Sequence, residues 1–167
     1  MSLSLNDFNR LVHLHGATLY RVACRMMSDR HGAEDVVQET FRSVWRSRER
    51  FEEGRGDRAW LMSILRRRVI DRWRKKAQPG NLTDHEYSER TVVDQDPFEQ
   101  EFCDEVQVGL NQLSPNLREA LLLVVVGELT HQEVADTLEV PLGTILSRVS
   151  RAKKRLREFL ATNNKTE

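Results

Sequence analysis

The chain has 167 residues, 39% of them hydrophobic and 31% charged, a composition that suits a soluble globular protein. Its charges are sorted into blocks: residues 1–78 carry 17 basic against 10 acidic residues, residues 79–111 one against nine, and residues 112–167 eight against seven. Such sorting indicates that the blocks have separate roles. The first residues lack the pattern of a signal peptide, and the longest apolar run, 120–126, is too short to cross a bilayer. We therefore expect a cytoplasmic protein without membrane insertion.

The two cysteines, Cys24 and Cys103, stand far apart without a CxxC motif or a cluster of histidines. His13 and His15 are two positions apart, so on a helix they point to different sides. This pattern argues against a disulfide framework and against a zinc site, and it fits a reducing compartment. We expect neither a metal nor a cofactor.

Helical spacing of apolar residues dominates, and no segment alternates convincingly as a strand would, so the sequence predicts an all-α protein. A first domain, 1–76, comprises three predicted helices at 6–27, 33–48 and 57–76. The predicted inner side of the first helix is formed by Phe8, Leu11, Val12, Leu19, Val22, Ala23 and Met26. The third helix begins with apolar turns and ends with seven basic residues and one acid between Arg66 and Lys76. Such a helix is rooted in a core at one end and presented to an anionic partner at the other.

Residues 77–97 differ from their surroundings, being acidic, poor in large apolar residues and bounded by prolines. This composition cannot bury enough surface to offset the entropy of ordering, so it predicts a flexible linker between two domains. Helical spacing resumes in the second domain, 98–162, where Ser114 and Pro115 suit the start of a helix. The apolar run 121–126 fits a buried strand or a buried helix, and its capped, helical neighbours favour the helix.

The most informative stretch, 130–156, predicts a short helix, a tight turn and a longer helix with one apolar and one basic face. Thr130 and Glu133 suit a reciprocal capping box. The apolar stripe of the longer helix is formed by Ile145, Val149, Ala152 and Leu156. Six basic residues and no acid lie between positions 144 and 157. A solvated basic helix would share this composition, but the capped helix and turn before it favour a helix-turn-helix that enters the major groove of DNA.

Several stretches together resemble the extracytoplasmic function (ECF) group of bacterial sigma-70-type sigma factors. These stretches are AEDVVQETFRSVW (33–45), AWLMSILRRRVIDRWRKK (59–76), LSPNLREALLL (113–123) and THQEVADTLEVPLGTILSRVSRAKKRL (130–156). The resemblance covers about residues 8–76 and 98–160. It implies a protein without enzymatic chemistry that binds the clamp and flap regions of core RNA polymerase and directs it to promoter DNA. It also implies a free monomer, with an anti-sigma factor as a candidate partner.

The resemblance implies a role for each domain, the first binding the −10 element and the polymerase clamp, the second binding the −35 element. For the −35 element it indicates Pro141, Thr144, Leu146, Ser147, Arg148, Ser150, Arg151, Lys154 and Arg155. For the −10 element it indicates Gly54, Arg55, Arg66, Arg67, Arg72, Arg74 and Lys75. For docking on the polymerase it indicates Asp35, Gln38, Glu39 and Phe41.

Plainer interpretations remain open at two of these sites. Asp35 and Glu39 could merely balance Arg42 and Arg46 on their own helix, an effect of about 0.3–0.5 kcal/mol per pair. The loop 51–57, which corresponds to the family's base-capturing segment, could be a simple connection between helices.

The chain departs from the family pattern at three positions. Arg67 stands where the family usually has Asn, Leu146 where it usually has Lys or Arg, and Glu139 where it often has Gly. Leu146 lies off the apolar stripe, so it is either simply exposed or contacts a thymine methyl group. If position 139 needs a left-handed backbone, Glu139 stores about 1 kcal/mol of strain.

Three other classes of protein compete with the sigma factor. A stand-alone regulator would bind duplex promoter DNA without polymerase. A protein-interaction module would bind core polymerase without promoter-directed initiation. A small helical enzyme would need a nucleophile beside a base, a phosphate-binding glycine loop or a metal ligand set, and the sequence contains none of these constellations.

Overall fold

A computed structural model describes residues 2–51, 56–78 and 104–163. These residues form seven α-helices and one short 3-10 turn, with no strand among them, so the all-α prediction is confirmed. The helices are α1 (Leu5–Met27), α2 (Arg30–Arg46), α3 (Asp57–Lys76), α4 (Asp104–Gln112), α5 (Pro115–Val125), α6 (His131–Leu138) and α7 (Leu142–Asn163), and the 3-10 turn is Arg48–Arg50. Most of the predicted linker, residues 79–97, lies outside the described residues.

The start of α2 differs from the prediction, which placed it at Ala33. The carboxylate of Asp29 accepts hydrogen bonds from the backbone N–H groups of His31 and Gly32, at 3.1 and 3.2 Å, and the helix therefore begins at Arg30. An aspartate in this position satisfies donors that the first turn leaves without a partner. The helix also ends earlier than expected, at Arg46, where the next residue, Ser47, has left the helical conformation.

Helices α1, α2 and α3 pack on one another to form the first bundle. Its largest fully buried side chains are Leu11, Leu19, Val22, Val44, Leu61, Met62, Leu65 and Val69. Phe8 packs edge-on against Phe41, with ring centroids 6.1 Å apart, and against Trp45 at 5.2 Å. The sequence was wrong about Val12, which is exposed, because the α1 core face is narrower than the apolar spacing suggested.

Helices α4 to α7 form the second bundle, in which α5 and α7 make the most extensive contact. Pro115 occupies the first position of α5 after Ser114, as predicted. The run that was compatible with a strand is helical through Val125. Leu121, Leu122 and Leu123 are buried as expected, whereas Val125 is exposed. Helical packing therefore overrides the β-branched character of the last residues of this run.

The two bundles lie against each other: α5 contacts α1, and α6 contacts α3. The buried apolar residues of both bundles belong to one contiguous cluster. Several hydrogen bonds and ion pairs cross the contact, including one from Arg25 Nη1 to Gln107 Oε1 at 2.7 Å. The sequence did not predict this arrangement, because nothing in either segment alone identifies the surface on which it packs.

Candidate nucleic-acid interface

Helices α6 and α7 form a helix-turn-helix with the expected cap. Thr130 Oγ1 accepts a hydrogen bond from the backbone N–H of Glu133 at 3.2 Å, and Glu133 Oε2 accepts one from the N–H of Thr130 at 2.7 Å. This reciprocal pair is the predicted capping box, and it fixes where α6 begins. The helix ends at Leu138, and the capping residue after it, Glu139, has a φ of 56° and a ψ of 44°, in the left-handed region. The predicted strain at this position is therefore present.

Three of the four residues of the predicted apolar stripe of α7 are buried, the fourth, Leu156, is half-buried, and the opposite side of the helix is exposed. Ile145 and Ala152 have no exposed surface and Val149 has 3%, whereas Ser147 and Arg151 are exposed. The other exposed members of the predicted −35 set are Pro141, Leu146, Ser150, Lys154 and Arg155, and the half-buried ones are Thr144 and Arg148. The whole set therefore lies in the turn before α7 and along that helix. Arg151 Nε makes a weak contact of 3.4 Å with the carbonyl oxygen of Ser147, so its guanidinium lies along its own helix.

A groove of about 470 Å³ runs beside this face and contains residues that the sequence analysis did not select. Its lining comprises His131, Leu146, Val149, Ser150, Lys153, Lys154 and Arg157. Lys153 and Arg157 follow Val149 at helical spacing, so closer inspection of the α7 pattern could have identified them. His131 comes from the start of α6 and reaches this groove only because the two helices cross. Leu146 is 48% exposed at the groove edge, where it is accessible to a base.

On the first bundle, α2 and α3 enclose a second groove of about 560 Å³. The α2 side carries Asp35, Gln38, Glu39 and Arg42, and the α3 side carries Arg68, Asp71, Arg72, Arg74 and Lys75. The residues predicted to dock on polymerase and several of those predicted to bind the −10 strand therefore face one another. Arg72 Nη1 and Asp35 Oδ2 are 3.2 Å apart, so a residue predicted to bind the −10 strand forms an ion pair with one predicted to dock on polymerase.

The acids of α2 have different partners. Glu39 lies 3.5 Å from both Arg42 and Arg46, so in this structure its carboxylate pairs with arginines of its own helix. Asp35 pairs instead with Arg72 across the groove. Gln38 is exposed and available to a partner, whereas the half-buried ring of Phe41 packs on Phe8. Phe41 therefore contributes mainly to the core that supports this surface.

The other predicted −10 residues are distributed between solvent and the second bundle. Arg67, Arg74 and Lys75 are exposed. Arg66 is half-buried and forms an ion pair with Glu119 of α5. Gly54 and Arg55 lie outside the described residues. Trp60 packs at a tilt against Phe51, with ring centroids 5.4 Å apart, and is partly buried against the core.

The part of the chain that the structure describes contains no group of His, Cys, Asp and Glu side chains arranged to hold a metal ion. Among the same residues, no helix is both long and apolar enough to cross a membrane. The thiol of Cys24 is free, and burial raises its pKa above the usual value.

These features define a helical DNA-binding protein with a helix-turn-helix at one end and a basic, groove-bearing bundle at the other. A family model for sigma-70 region 2 matches residues 11–78, and one for sigma-70 region 4 matches residues 103–156. The first match covers the α1–α3 bundle from Leu11 onward, and the second covers α4 to most of α7. Each match coincides with one of the two surfaces described above.

Curated relatives are ECF RNA polymerase sigma factors. SigE of Mycolicibacterium smegmatis is 31% identical over 96% of this chain and 64% of its own length. SigW of Bacillus subtilis is 28% identical over 92% of this chain and 88% of its own length. SigK of Mycobacterium tuberculosis is 31% identical over 85% of this chain and 79% of its own length. The chain thus spans slightly less than two thirds of SigE and most of the other two.

Solved structures show the same relationship. The sigma factor RpoE of Bartonella quintana was solved in complex with the anti-sigma factor NepR. Its structure matches this one with a TM-score of 0.79 and 30% sequence identity, over 94% of this chain and 98% of the RpoE chain. CnrH, solved in complex with the cytosolic domain of CnrY, has a TM-score of 0.72 and is 24% identical. The match covers 95% of this chain and 90% of CnrH and shows that the two share a fold. The chain belongs to the ECF sigma factors, the small sigma-70-type proteins that direct transcription initiation by RNA polymerase.

Proposed function

We propose that this protein binds core RNA polymerase and directs it to promoters by recognising a −10 element with the first bundle and a −35 element with the second. It acts in the cytoplasm as a transcription initiation factor and contributes no catalytic group of its own. The observation that carries this proposal is the two-sided form of α7. Its apolar stripe is buried against the bundle while Ser147 and Arg151 face solvent, which is the geometry of a recognition helix.

We assign different roles to the residues around α7. Ser147 and Arg151 are exposed on the side of α7 away from the buried stripe, and we assign them to base edges in the major groove. Arg148, Lys154 and Arg155 contact phosphates, which position the helix without reading sequence. Lys153 and Arg157 line the flanking groove with His131, so we add them to the phosphate-binding set. The exposed Leu146 replaces a basic residue and favours contact with a thymine methyl group.

The first bundle supplies the polymerase contact and the −10 contact. Asp35 and Gln38 are exposed on α2, where an acid can pair with basic groups of the clamp. Arg67, Arg74 and Lys75 are exposed on α3 and offer charge to the phosphates of a single strand. Arg67 stands where the family usually has Asn, so the base preference of other members does not transfer to this protein.

An anti-sigma factor is the regulatory partner that the comparisons favour. RpoE of Bartonella quintana was solved with such a partner and aligns with nearly the whole of this chain. We propose that this chain is held by a protein of the same kind.

The experiment that tests the function is reconstitution with core polymerase on a genomic template, followed by sequencing of RNA 5′ ends. The expected result is a small set of start sites, each preceded by common −10 and −35 sequences. Start sites identical to those of core polymerase alone would overturn the proposal. A protein that bound duplex promoter DNA equally well with and without polymerase would instead be a stand-alone regulator.

A further inference from the structure

The first two turns of α7 expose an apolar strip, formed by Leu142 and Leu146. Leu142 is 39% exposed and Leu146 is 48% exposed, and within α6 and α7, both of which the structure describes completely, no other large apolar side chain is exposed to this extent. Their spacing of four residues places both leucines on one side of the helix, about 6 Å apart along its axis. A single exposed leucine is ordinary, but two that adjoin on a surface assigned to DNA indicate a contact from which water is excluded.

The strip lies at the uncharged end of α7. Residues 141–147 include no charged side chain, whereas all six basic residues of the helix lie within 148–157. Leu146 lines the same groove as Lys153 and Arg157, so the strip is continuous with the surface assigned to phosphates. Because the basic end of α7 attracts the phosphates, its uncharged end is left for the part of the duplex that carries no charge, the edges of the bases.

The backbone at this end of α7 is open to a ligand. Gly143 follows Leu142 directly, and a Cβ added at Gly143 would have no neighbouring atom within 4 Å among the described residues. A helix-turn-helix places the first turns of its second helix against base edges in the major groove. The strip and the open backbone beside it therefore belong to the part of α7 that approaches the bases.

Leucine is complementary to one kind of group in the major groove. Among the groups that the four bases present there, the C5 methyl of thymine is the apolar one. A leucine placed against a donor or acceptor would remove its water without replacing the hydrogen bond, which is unfavourable. Cytosine methylated at C5 carries the same methyl group at the same place on the pyrimidine ring. A leucine strip therefore recognises the methyl group and not the identity of the pyrimidine.

We propose that Leu142 and Leu146 make the −35 contact of this protein a reader of C5-methylated pyrimidines, which accepts 5-methylcytosine in place of thymine and discriminates against uracil and unmethylated cytosine. The inference rests on the proposed function, because it names the ligand of the same helix. Its consequence is that C5 methylation of a cytosine at this position strengthens −35 binding. The burial of one methyl group corresponds to about a fourfold change in affinity.

The test uses the holoenzyme, reconstituted from core polymerase and the full-length chain, on a promoter mapped by sequencing of RNA 5′ ends. Each thymine on either strand of the −35 element is replaced in turn by uracil, which pairs with adenine in the same way but lacks the methyl group. At the position that responds, the thymine–adenine pair is then replaced by a cytosine–guanine pair with and without the C5 methyl. The affinity of each duplex is measured by competition against the labelled original promoter.

The same duplexes are bound to holoenzymes that contain variants of the strip. L142A/L146A removes the apolar contact, and L146M keeps an apolar side chain of similar length. The matched control is V108A, which shortens a side chain of α4 that is 49% exposed, as Leu146 is 48% exposed. A general effect of losing exposed apolar surface would appear in the control as well.

With the wild type, uracil should weaken binding about fourfold at one or more −35 thymines, and methylated cytosine should bind about fourfold more tightly than unmethylated cytosine at the same position. L142A/L146A should abolish both differences, whereas L146M and V108A should keep them. Differences that persist in L142A/L146A would overturn the inference. A loss of affinity by this variant that is equal on all duplexes would also overturn it and assign the strip to a contact with polymerase. Start sites without a common −35 sequence would refute the proposed function together with this inference, whereas a common −35 sequence bound equally with thymine and with uracil would refute this inference alone.

Discussion

Replacement of Glu139 by glycine should stabilise the protein. Glu139 follows the last residue of α6 with φ 56° and ψ 44° and is exposed. Its backbone N–H donates to the carbonyl oxygen of Ala135, a hydrogen bond that glycine would keep. The left-handed conformation costs a residue with a Cβ about 1–2 kcal/mol. Glycine avoids this cost but loses about 0.5–1 kcal/mol because its unfolded chain is more flexible. The net gain should be about 0.5–1 kcal/mol.

The charge of Glu139 also contributes, because an acid at the C-terminal end of a helix interacts unfavourably with the helix dipole by about 0.3–1 kcal/mol. The variant Glu139→Ala separates the two effects, since it removes the charge and keeps the Cβ. Asp136→Gly is the matched control for glycine itself, because Asp136 lies inside α6. It should lose about 0.3 kcal/mol of helix propensity and about 0.2–0.5 kcal/mol from the hydrogen bond that Gln132 donates to Asp136.

The assay is thermal and urea unfolding followed by circular dichroism. For a chain of this size, a gain of 1 kcal/mol raises Tm by about 2–4 °C. Glu139→Gly should be more stable than both the wild type and Glu139→Ala. Equal stability of the glycine and alanine variants would refute the backbone argument and assign the whole effect to charge.

Three further predictions concern DNA binding and pH. Arg151→Ala should cost about 1–3 kcal/mol in binding to a mapped −35 duplex if Arg151 reads a base edge; the same loss on scrambled duplex, measured by anisotropy, would demote it to a phosphate contact. Neutralising Lys153 and Arg157 to Gln should weaken binding to both duplexes alike and reduce the slope of log affinity against log salt by about one per residue, and an unchanged slope would remove them from the interface. Burial, followed by the charge of Arg58, lowers the pKa of His15 below 6.5, so the folded state binds fewer protons than the unfolded one and stability is lost as pH falls below that value. The variant His15→Gln should therefore lose less Tm than the wild type between about pH 7.5 and about pH 5.5, and parallel losses would contradict this.

Sequence reasoning was most accurate where the physical cause is local. The capping box of Thr130 and Glu133 and the left-handed Glu139 depend on residues within one or two turns of each other, and the structure contains both. The start of α2 was missed because Asp29 could cap a helix three residues earlier than the apolar pattern suggested. A search for cap residues before each apolar run would have found it.

Part of the candidate site could be predicted for the same reason. The exposed and buried sides of α7 follow from a period of 3.6 residues, so the placement of Ser147 and Arg151 opposite Ile145 required no tertiary information. The two grooves could not be predicted without tertiary information. His131 comes near Lys153 only through the crossing of α6 and α7, and Asp35 meets Arg72 only through the packing of α2 on α3.

The amino-acid order by itself determined the helices, their caps, the basic face of α7 and the family to which the chain belongs, because periodicity, capping and charge act over a few neighbouring residues. The tertiary structure alone decided which charges are free and which are paired. Arg66 and Arg67 are neighbours in a run of three arginines, yet Arg66 is paired with Glu119 and Arg67 is exposed. That difference arises from the direction in which each side chain leaves α3 and from the bundle packed against only one of them.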